Sequence, residues 1–414
     1  MKFPFYFVCA SLLFYCSSGF SQSLRLSEVE NLFLKKNLLL LAGQYNIDAS
    51  EALTIQARAY PNPTFSAEFN LIDPQNDRFL HAGKTGEKGF GIDQLILLGG
   101  KRKTQIEIAK QNKVLAELEL ADLLRNLKWQ LSTAFYGLNH QINVIRNYEN
   151  QLRLLDTIIN NYESQATKGN IPMKEVVRLK SVYLSINNNR SELAALQIQN
   201  LQQLQLLTGE KGNIIPSISE DLYSGLKSVK STAELLQLAE TNRPDLKIAK
   251  QNTVLAELNY KFQKQMAIPD INLGAGYDQR GGAFNNQVNL GVGIPIPAWN
   301  RNKGNIKAAE FGKKSAEAGI QQYQLSMETE VAASQNNFTR CLTDFQKTTA
   351  LYNTNFELVF KGMNENFQKR NVSLIEFIDF FESYNQSLTE IQNTKTQLAI
   401  AAAQINYVTA NQVY

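Results

Sequence analysis

The chain has 414 residues and is short of several things, and each shortage excludes a class of function. It has three cysteines, two of which, Cys9 and Cys16, lie in an apolar leader. Once that leader is removed Cys341 stands alone, so the mature chain can form no internal disulfide. The two histidines, His81 and His140, are far apart and have no cysteine or histidine near them in sequence. Metal sites need clustered ligands, so neither a metal site nor a cofactor is indicated. Gly89-Phe90-Gly91 opens no phosphate-binding motif, and no catalytic constellation can be assembled, so the chain does not read as an enzyme. Beyond the leader there is no long uncharged apolar stretch of the length a membrane helix needs. The net charge of +4 is mild and scattered, and in an exported chain it does not point to nucleic acid.

The leader itself is informative. Lys2 is followed by the apolar run Phe3 to Tyr15, and Gly19-Phe20-Ser21 puts small residues where a signal peptidase needs them. A signal peptide over residues 1–21 is expected. A lipid anchor on Cys16 is the alternative, opposed by the bulky Leu13-Phe14-Tyr15 before it. An exported chain with no membrane helix is secreted, periplasmic, or an outer-membrane β-barrel.

The mature chain is rich in Gln, Asn, Leu, Ala, Lys and Glu, and most of its prolines mark boundaries between long helix-like stretches. Thr104 to Gln165 has no proline and carries Leu127, Leu131, Phe135, Leu138, Ile142 and Ile145 at helical spacing. Such a helix would be about 90 Å long, which suits a coiled coil or a tube better than a globular domain. Lys168-Gly169-Asn170-Ile171-Pro172 breaks it, and Met173 to Leu207 returns. The second half repeats the plan. Asn305 to Gln368 is proline-free, Lys369 to Ser373 breaks it, and Leu374 to Val408 returns. An antiparallel helical hairpin is the simplest reading of each half.

Four segments alternate with period two, the strand signature. They are Thr64 to Leu71, Lys88 to Gln94, Asp270 to Tyr277 and Gln287 to Ile296, paired as hairpins through polar loops at Asp73 to Glu87 and Asp278 to Asn286. Strand by strand, two hairpins of a soluble sheet with one wet face describe this better than a barrel, whose strands carry weak signals. The context reverses the preference. Each hairpin follows a helix ending at proline (Pro61, Pro269) and precedes a very long helix, in the same order in both halves. We therefore read two tandem repeats. The first covers 22–215, with a β-hairpin at about 62–98 and a helical hairpin at about 103–208. A connecting segment covers 216–243. The second covers 244–414, with a β-hairpin at about 269–297 and a helical hairpin at about 303–410. Ile108 to Leu118 also nearly matches Ile248 to Leu258, at an offset of 140 residues. That conflicts with the repeat, and we take it as similar helix chemistry used twice.

Four strands cannot close a barrel in lipid, where each open edge leaves backbone groups unpaired. Three copies would supply twelve. Here the chain resembles the outer-membrane efflux protein (TolC-like) family, nearest its heavy-metal branch. The resemblance rests on Tyr60-Pro61-Asn62-Pro63, on Gly91 through Arg102, on Arg243-Pro244-Asp245-Leu246, and on Gly293 through Gly304, four motifs in order over essentially the whole mature chain. It implies a mainly α fold with a β-barrel part. Three chains would form a twelve-stranded outer-membrane barrel continued by an α-helical periplasmic barrel. It implies a passive exit duct whose partners are a periplasmic adaptor, an inner-membrane pump of the RND type, and outer-membrane lipid. It places Gly169, Asn170, Pro172, Arg370, Asn371 and Ser373 at the periplasmic tips, where the adaptor docks. Glu376, Asp379 and Glu175 become acidic gate residues, a ring that favours cations and repels itself. Arg370 stands where the family has glycine, and Phe367 where some members have tyrosine, so no hydroxyl latch is expected there.

Other readings stay open. Ser373 and Glu376 form a capping-box pattern and Pro172 suits a helix start, so these residues also serve as helix caps. Glu68 is a candidate pore-lining residue or an interface or loop-facing carboxylate. Tyr60 and Trp299 are membrane-interface anchors or simple packing. The cargo is heavy-metal cations, with drugs or detergents as the alternative. A periplasmic coiled-coil scaffold is the competing class.

Overall fold

The computed structural model describes residues 23–226, 228–281, 283–352 and 355–414. The expected signal peptide and Cys16 lie outside them. The described residues open with β1 (Ser23–Leu24), α1 (Leu26–Lys36) and α2 (Leu38–Ala57), followed by β2 (Thr64–Phe69), β3 (Ile72–Asp73), β4 (Arg78–Phe79) and β5 (Glu87–Ile96). Next come the 67-residue α3 (Lys101–Thr167), α4 (Met173–Thr208), β6 (Ile215–Pro216), α5 (Asp221–Gly225), α6 (Thr232–Asn242) and α7 (Pro244–Met266). The chain ends with β7 (Ile271–Arg280), β8 (Phe284–Gly293), α8 (Lys303–Leu351), α9 (Asn355–Gln368) and α10 (Leu374–Thr409).

Local chemistry sets the helix ends. Pro244 occupies the first turn of α7, where its missing N–H costs nothing. Ser231 and Glu234 form a capping box at the start of α6, and α4 ends at Gly209 in the left-handed region (φ 68°). Within the proline-free stretch Asn305 to Gln368 the described residues form α8, ending at Leu351, and α9, starting at Asn355.

Strands β2, β5, β7 and β8 form one antiparallel sheet in that order. The sheet thus contains both sequence hairpins, joined through β5 and β7. Two loops differ from expectation. Asp73 to Glu87 is not only a polar loop, because it contains the β3–β4 hairpin. The second loop is tighter than Asp278 to Asn286, since β7 runs to Arg280 and β8 starts at Phe284, with an irregularity between Asp278 and Arg280.

By packing, the chain divides into two compact units. One comprises the described residues of Met1–Asn37, Gln130–Lys227 and Cys341–Ile400. The other comprises Leu38–Trp129, Ser228–Arg340 and Ala401–Tyr414. Each draws on both halves of the chain. The first has a core built around Leu155, Leu179, Phe377 and Phe381 from α3, α4 and α10, together with Phe367 from α9.

Candidate functional site

The register of the sheet sorts its side chains onto two faces, because successive residues of a strand point to opposite sides. Ala67, Phe90, Tyr277 and Val288 are aligned across the four strands, and residues two along on each strand share their face. That face carries Phe65, Phe69, Ile92, Leu273, Leu290 and Val292, all of them exposed, with Leu290 at 86 %. Its rings interlock across strands. Phe90 lies 6.4 Å from Phe65, 5.7 Å from Phe69 and 6.3 Å from Tyr277 between centroids.

The opposite face holds Ser66, Glu68, Asp93, Asp278 and Asn289 among Gly89, Gly91, Gly274, Gly276 and Gly291. An added Cβ at Gly274 would lie 2.5 Å from the Asp93 carboxylate, which would have to swing aside. Glu68 is aligned with Gly89, so no side chain opposes it. It lines a shallow concavity of about 510 Å³ with Glu87, Asp278 and Arg280, among others. A sheet with one exposed apolar face and one glycine-rich acidic face has two different surroundings. The outer edges of β2 and β8 are both unpaired among the described residues.

The two helical turns lie in one unit and share one geometry. The Gly169 N–H donates to the Ala166 carbonyl (2.9 Å) and the Asn170 N–H to Gln165 (3.0 Å). In the second turn the Arg370 N–H donates to Phe367 (3.0 Å) and the Asn371 N–H to Asn366 (2.9 Å). This is the Schellman arrangement twice over, with the left-handed position filled by Gly169 (φ 77°) and by Arg370 (φ 62°). Pro172 and Ser373 then precede α4 and α10. The Ser373 N–H and hydroxyl donate to one Glu376 oxygen at 3.0 and 2.9 Å, and the Glu376 N–H donates to the Ser373 hydroxyl at 3.3 Å. These bonds to Ser373 hold the exposed Glu376 carboxyl below the usual glutamate range.

The turns meet through aromatic rings. Phe367 is buried and stacks on Phe377 (4.1 Å) and on Tyr162 (5.9 Å), so a ring stack occupies the position where a hydroxyl latch was not expected. Burial pushes the Tyr162 hydroxyl up, Glu175 adds to the rise, and Arg370 opposes it. Glu175 and Arg370, from different turns, therefore act on one phenol. Asp379 is exposed one turn beyond Glu376.

Two polar clusters were not read as such from the sequence. His81, assigned only to a loop, is buried with Nδ1 2.6 Å from the Asp73 carboxylate and Nε2 3.1 Å from the Thr85 hydroxyl. The His81 bond, then that of Asn76, lowers the Asp73 carboxyl to about 2. The second cluster involves a sequence motif. Arg243 grips Asp245 with two bonds (3.0 and 2.5 Å) and Glu330 with one (2.7 Å), while Arg125 reaches Asp245 at 3.1 Å and Asp122 at 2.7 Å. Burial opposes both the Arg243 and Asp245 charges, and their bonds to each other outweigh it, so the arginine is raised and the carboxylate lowered. The signal for this cluster was Arg243-Pro244-Asp245 itself, a charged pair flanking a helix-starting proline.

His140 is half-buried, and burial lowers its pKa. Among the described residues no group of three or more His, Cys, Asp or Glu could hold a metal ion, and no helix is long and apolar enough to cross a membrane.

Against known proteins, residues 30–210 and 235–351 match the family model described as "Outer membrane efflux protein". The cobalt-zinc-cadmium resistance protein CzcC of Cupriavidus metallidurans is 23 % identical over 364 residues, covering 86 % of this chain and 82 % of its own. Toxin and drug export protein A of Aggregatibacter actinomycetemcomitans is 22 % identical over 293 residues, covering 68 % and 61 %. A crystal structure of CusC superposes with a TM-score of 0.73 at 18 % identity, over 93 % of this chain and 92 % of that one.

Proposed function

The chain belongs to the outer membrane efflux protein family, and from that premise we propose that it is the passive exit duct of a tripartite efflux system. Three copies close a twelve-stranded barrel in the outer membrane, and their helices continue it as a tube in the periplasm. The observation that carries this reading is the four-stranded sheet with two open edges, one exposed apolar face and one acidic, glycine-rich face. In lipid an open sheet edge is costly, so copies must pair edge to edge, β8 of one on β2 of the next. The apolar face then meets lipid and the face bearing Glu68 lines the pore. The two repeats and their boundaries, as read from the sequence, describe how one chain supplies one third of each tube.

The turns at Gly169, Asn170 and Pro172 and at Arg370, Asn371 and Ser373 form the tip on which a periplasmic adaptor docks, with an RND-type pump beyond it. Glu175, Glu376 and Asp379, threefold repeated, form the acidic gate. The capping bonds that keep the Glu376 carboxyl acidic support its being charged at neutral pH. Heavy-metal cations are the proposed cargo. Support comes from the acidic groups Glu68, Asp93 and Asp278 on the pore face and from the relationship to a cobalt-zinc-cadmium resistance protein. The relationship to a toxin and drug export protein keeps drugs and detergents as the alternative cargo.

The test pairs a native mass of the detergent-extracted outer-membrane fraction with the sensitivity of a deletion strain to divalent metals, silver, dyes and bile salts. A trimer, with metal sensitivity reversed by the wild-type gene, supports the whole reading. A trimer with sensitivity to dyes and bile salts alone moves the cargo to the alternative. A soluble periplasmic species in place of a membrane trimer overturns the duct in favour of the scaffold.

A further inference from the structure

Residues 71–86 leave the edge strand β2, form the β3–β4 hairpin and return to β5. In water a small hairpin hides its apolar side chains and shows its polar ones. This hairpin does the reverse. Asp73 and His81 are 8 % and 5 % exposed, whereas Ile72 and Phe79, aligned with each other in the β3–β4 ladder, are 65 % and 70 % exposed. Leu71 and Leu80, on either side, are exposed as well.

The polar interior is closed on itself. Asp73 accepts from the N–H groups of Gln75 (3.1 Å) and Asn76 (3.2 Å) and from the Asn76 side-chain amide (2.8 Å), with His81 at 2.6 Å. A buried polar cluster satisfied in this way fixes which side of the hairpin faces in. The apolar side is thereby held outward.

A second observation fixes where that side lies. The Gln279 side chain donates to the carbonyls of Gly83 (3.0 Å) and Lys84 (2.8 Å), tying the loop to β7. Gln279 is aligned with Lys88 and stands two residues from Tyr277, so it belongs to the face of Phe90, Tyr277 and Val288. The loop is therefore tied at Gly83 and Lys84 to the apolar side of the sheet, while Leu71 at its start borders the concavity that Glu68 and Asp278 line. Arg78 and Lys84 are exposed in the same loop, with long stems and cationic heads suited to lipid phosphate.

We propose that this inverted hairpin is a lipid-seated foot, with Ile72 and Phe79 bedded among the acyl chains at the rim of the barrel. It anchors the depth of the duct in the outer membrane and does not cover its mouth. The inference rests on the reading of the four-stranded sheet as membrane-spanning.

The experiment is electron paramagnetic resonance on the full mature protein in vesicles of phosphatidylethanolamine and phosphatidylglycerol. Single nitroxides are placed through Phe79→Cys, Ile72→Cys, Leu290→Cys and Asp77→Cys, with the unsubstituted chain as the blank for the buried Cys341. Collision with oxygen, which concentrates in lipid, is compared with collision with a water-soluble nickel chelate. The oxygen-to-nickel ratio at positions 79 and 72 should approach that at 290 and exceed that at 77 several-fold. Nickel access at 79 and 72 like that at 77 places the hairpin in water and overturns the proposal. Poor access to both reagents means that protein, such as a second copy, covers it, and also overturns it. If position 290 itself is nickel-accessible, the membrane reading of the sheet has failed and not the hairpin alone.

Discussion

Gln251 on α7 donates its side-chain amide to both the backbone carbonyl (2.9 Å) and the side-chain oxygen (2.7 Å) of Gln111 on α3. The two residues are 140 apart, the offset at which Ile108 to Leu118 nearly matches Ile248 to Leu258. The two near-matching helix segments thus meet each other through this pair. Gln251 is buried, so its loss removes a bond and leaves the Gln111 carbonyl with one partner fewer. Gln251→Ala should lower stability by about 1 kcal/mol, read as an earlier unfolding midpoint of the detergent-solubilised protein. An unchanged midpoint would mean the pair contributes nothing.

The two tips offer an internal comparison at one backbone conformation. Gly169 takes a left-handed φ at no steric cost, and Arg370 takes nearly the same φ with a side chain. A non-glycine residue there costs roughly 1–2 kcal/mol. Arg370→Gly should therefore stabilise the tip by about 1 kcal/mol, and Gly169→Ala should destabilise it by a similar amount. Nothing lies within 4 Å of an added Cβ at Gly169, so backbone strain is the whole effect. Arg370→Gly also removes the cation that opposes the rise of the Tyr162 hydroxyl, so that phenol should titrate higher still. Local hydrogen exchange and the ultraviolet titration of tyrosine read the two effects separately.

How far the sequence could be read depends on the kind of signal. Apolar residues at helical spacing, with prolines and glycines as breaks, carry information locally, and they mark Lys101–Thr167 and Leu374–Thr409 as helices. Period two does the same for Phe65 to Phe69 and for Val288 to Val292. The inside-out hairpin was illegible because its order depends on Asp73 meeting His81 and on Gln279 reaching Gly83, contacts that no spacing encodes. The join of β5 to β7 is likewise a long-range choice between two hairpins that each look complete. At the tips the spacing marked Gly169 and Arg370 as turn residues, but the stacking of Tyr162 on Phe367 needed the fold.

Arg243 is the most buried charge in its cluster, with a side chain 3 % exposed, against 14 % for Asp245 and 45 % for Glu330. Removing one partner of a buried pair strands the other, so Arg243→Ala should cost roughly 3–5 kcal/mol. Glu330→Gln should cost under about 1 kcal/mol, because solvent already screens that carboxylate. Denaturation midpoints of the two variants test the ordering. Equal effects would mean that Asp245 draws its stability from Arg125 instead.

Phe367 joins the two turns through its stacks on Tyr162 and Phe377. Phe367→Ala empties a buried ring site and should cost roughly 3–5 kcal/mol, loosening both turns together. Phe367→Tyr keeps the ring but buries a hydroxyl among rings, at a cost of about 1–3 kcal/mol if it finds no partner. Hydrogen exchange at Gly169 and Arg370 should rise in parallel in Phe367→Ala. A rise in one turn only would show that the stack does not couple them.

Asp73 makes the external hairpin acid-sensitive. Its carboxyl is lowered from 3.8 to about 2, chiefly by His81. A depressed carboxyl contributes stability that is fully present above its unfolded value and is lost as pH falls through its folded value. The hairpin should therefore be intact at pH 5 and above, loosen as pH drops below about 4, and lose the contribution near pH 2. A nitroxide on Asp77→Cys, at the turn of the hairpin, should grow more mobile over that interval. His81→Phe keeps a ring but removes the largest cause of the lowered carboxyl, so the loosening should shift to higher pH. If the mobility transition stays in place in His81→Phe, the His81 bond is not what holds the Asp73 carboxylate in its charged form.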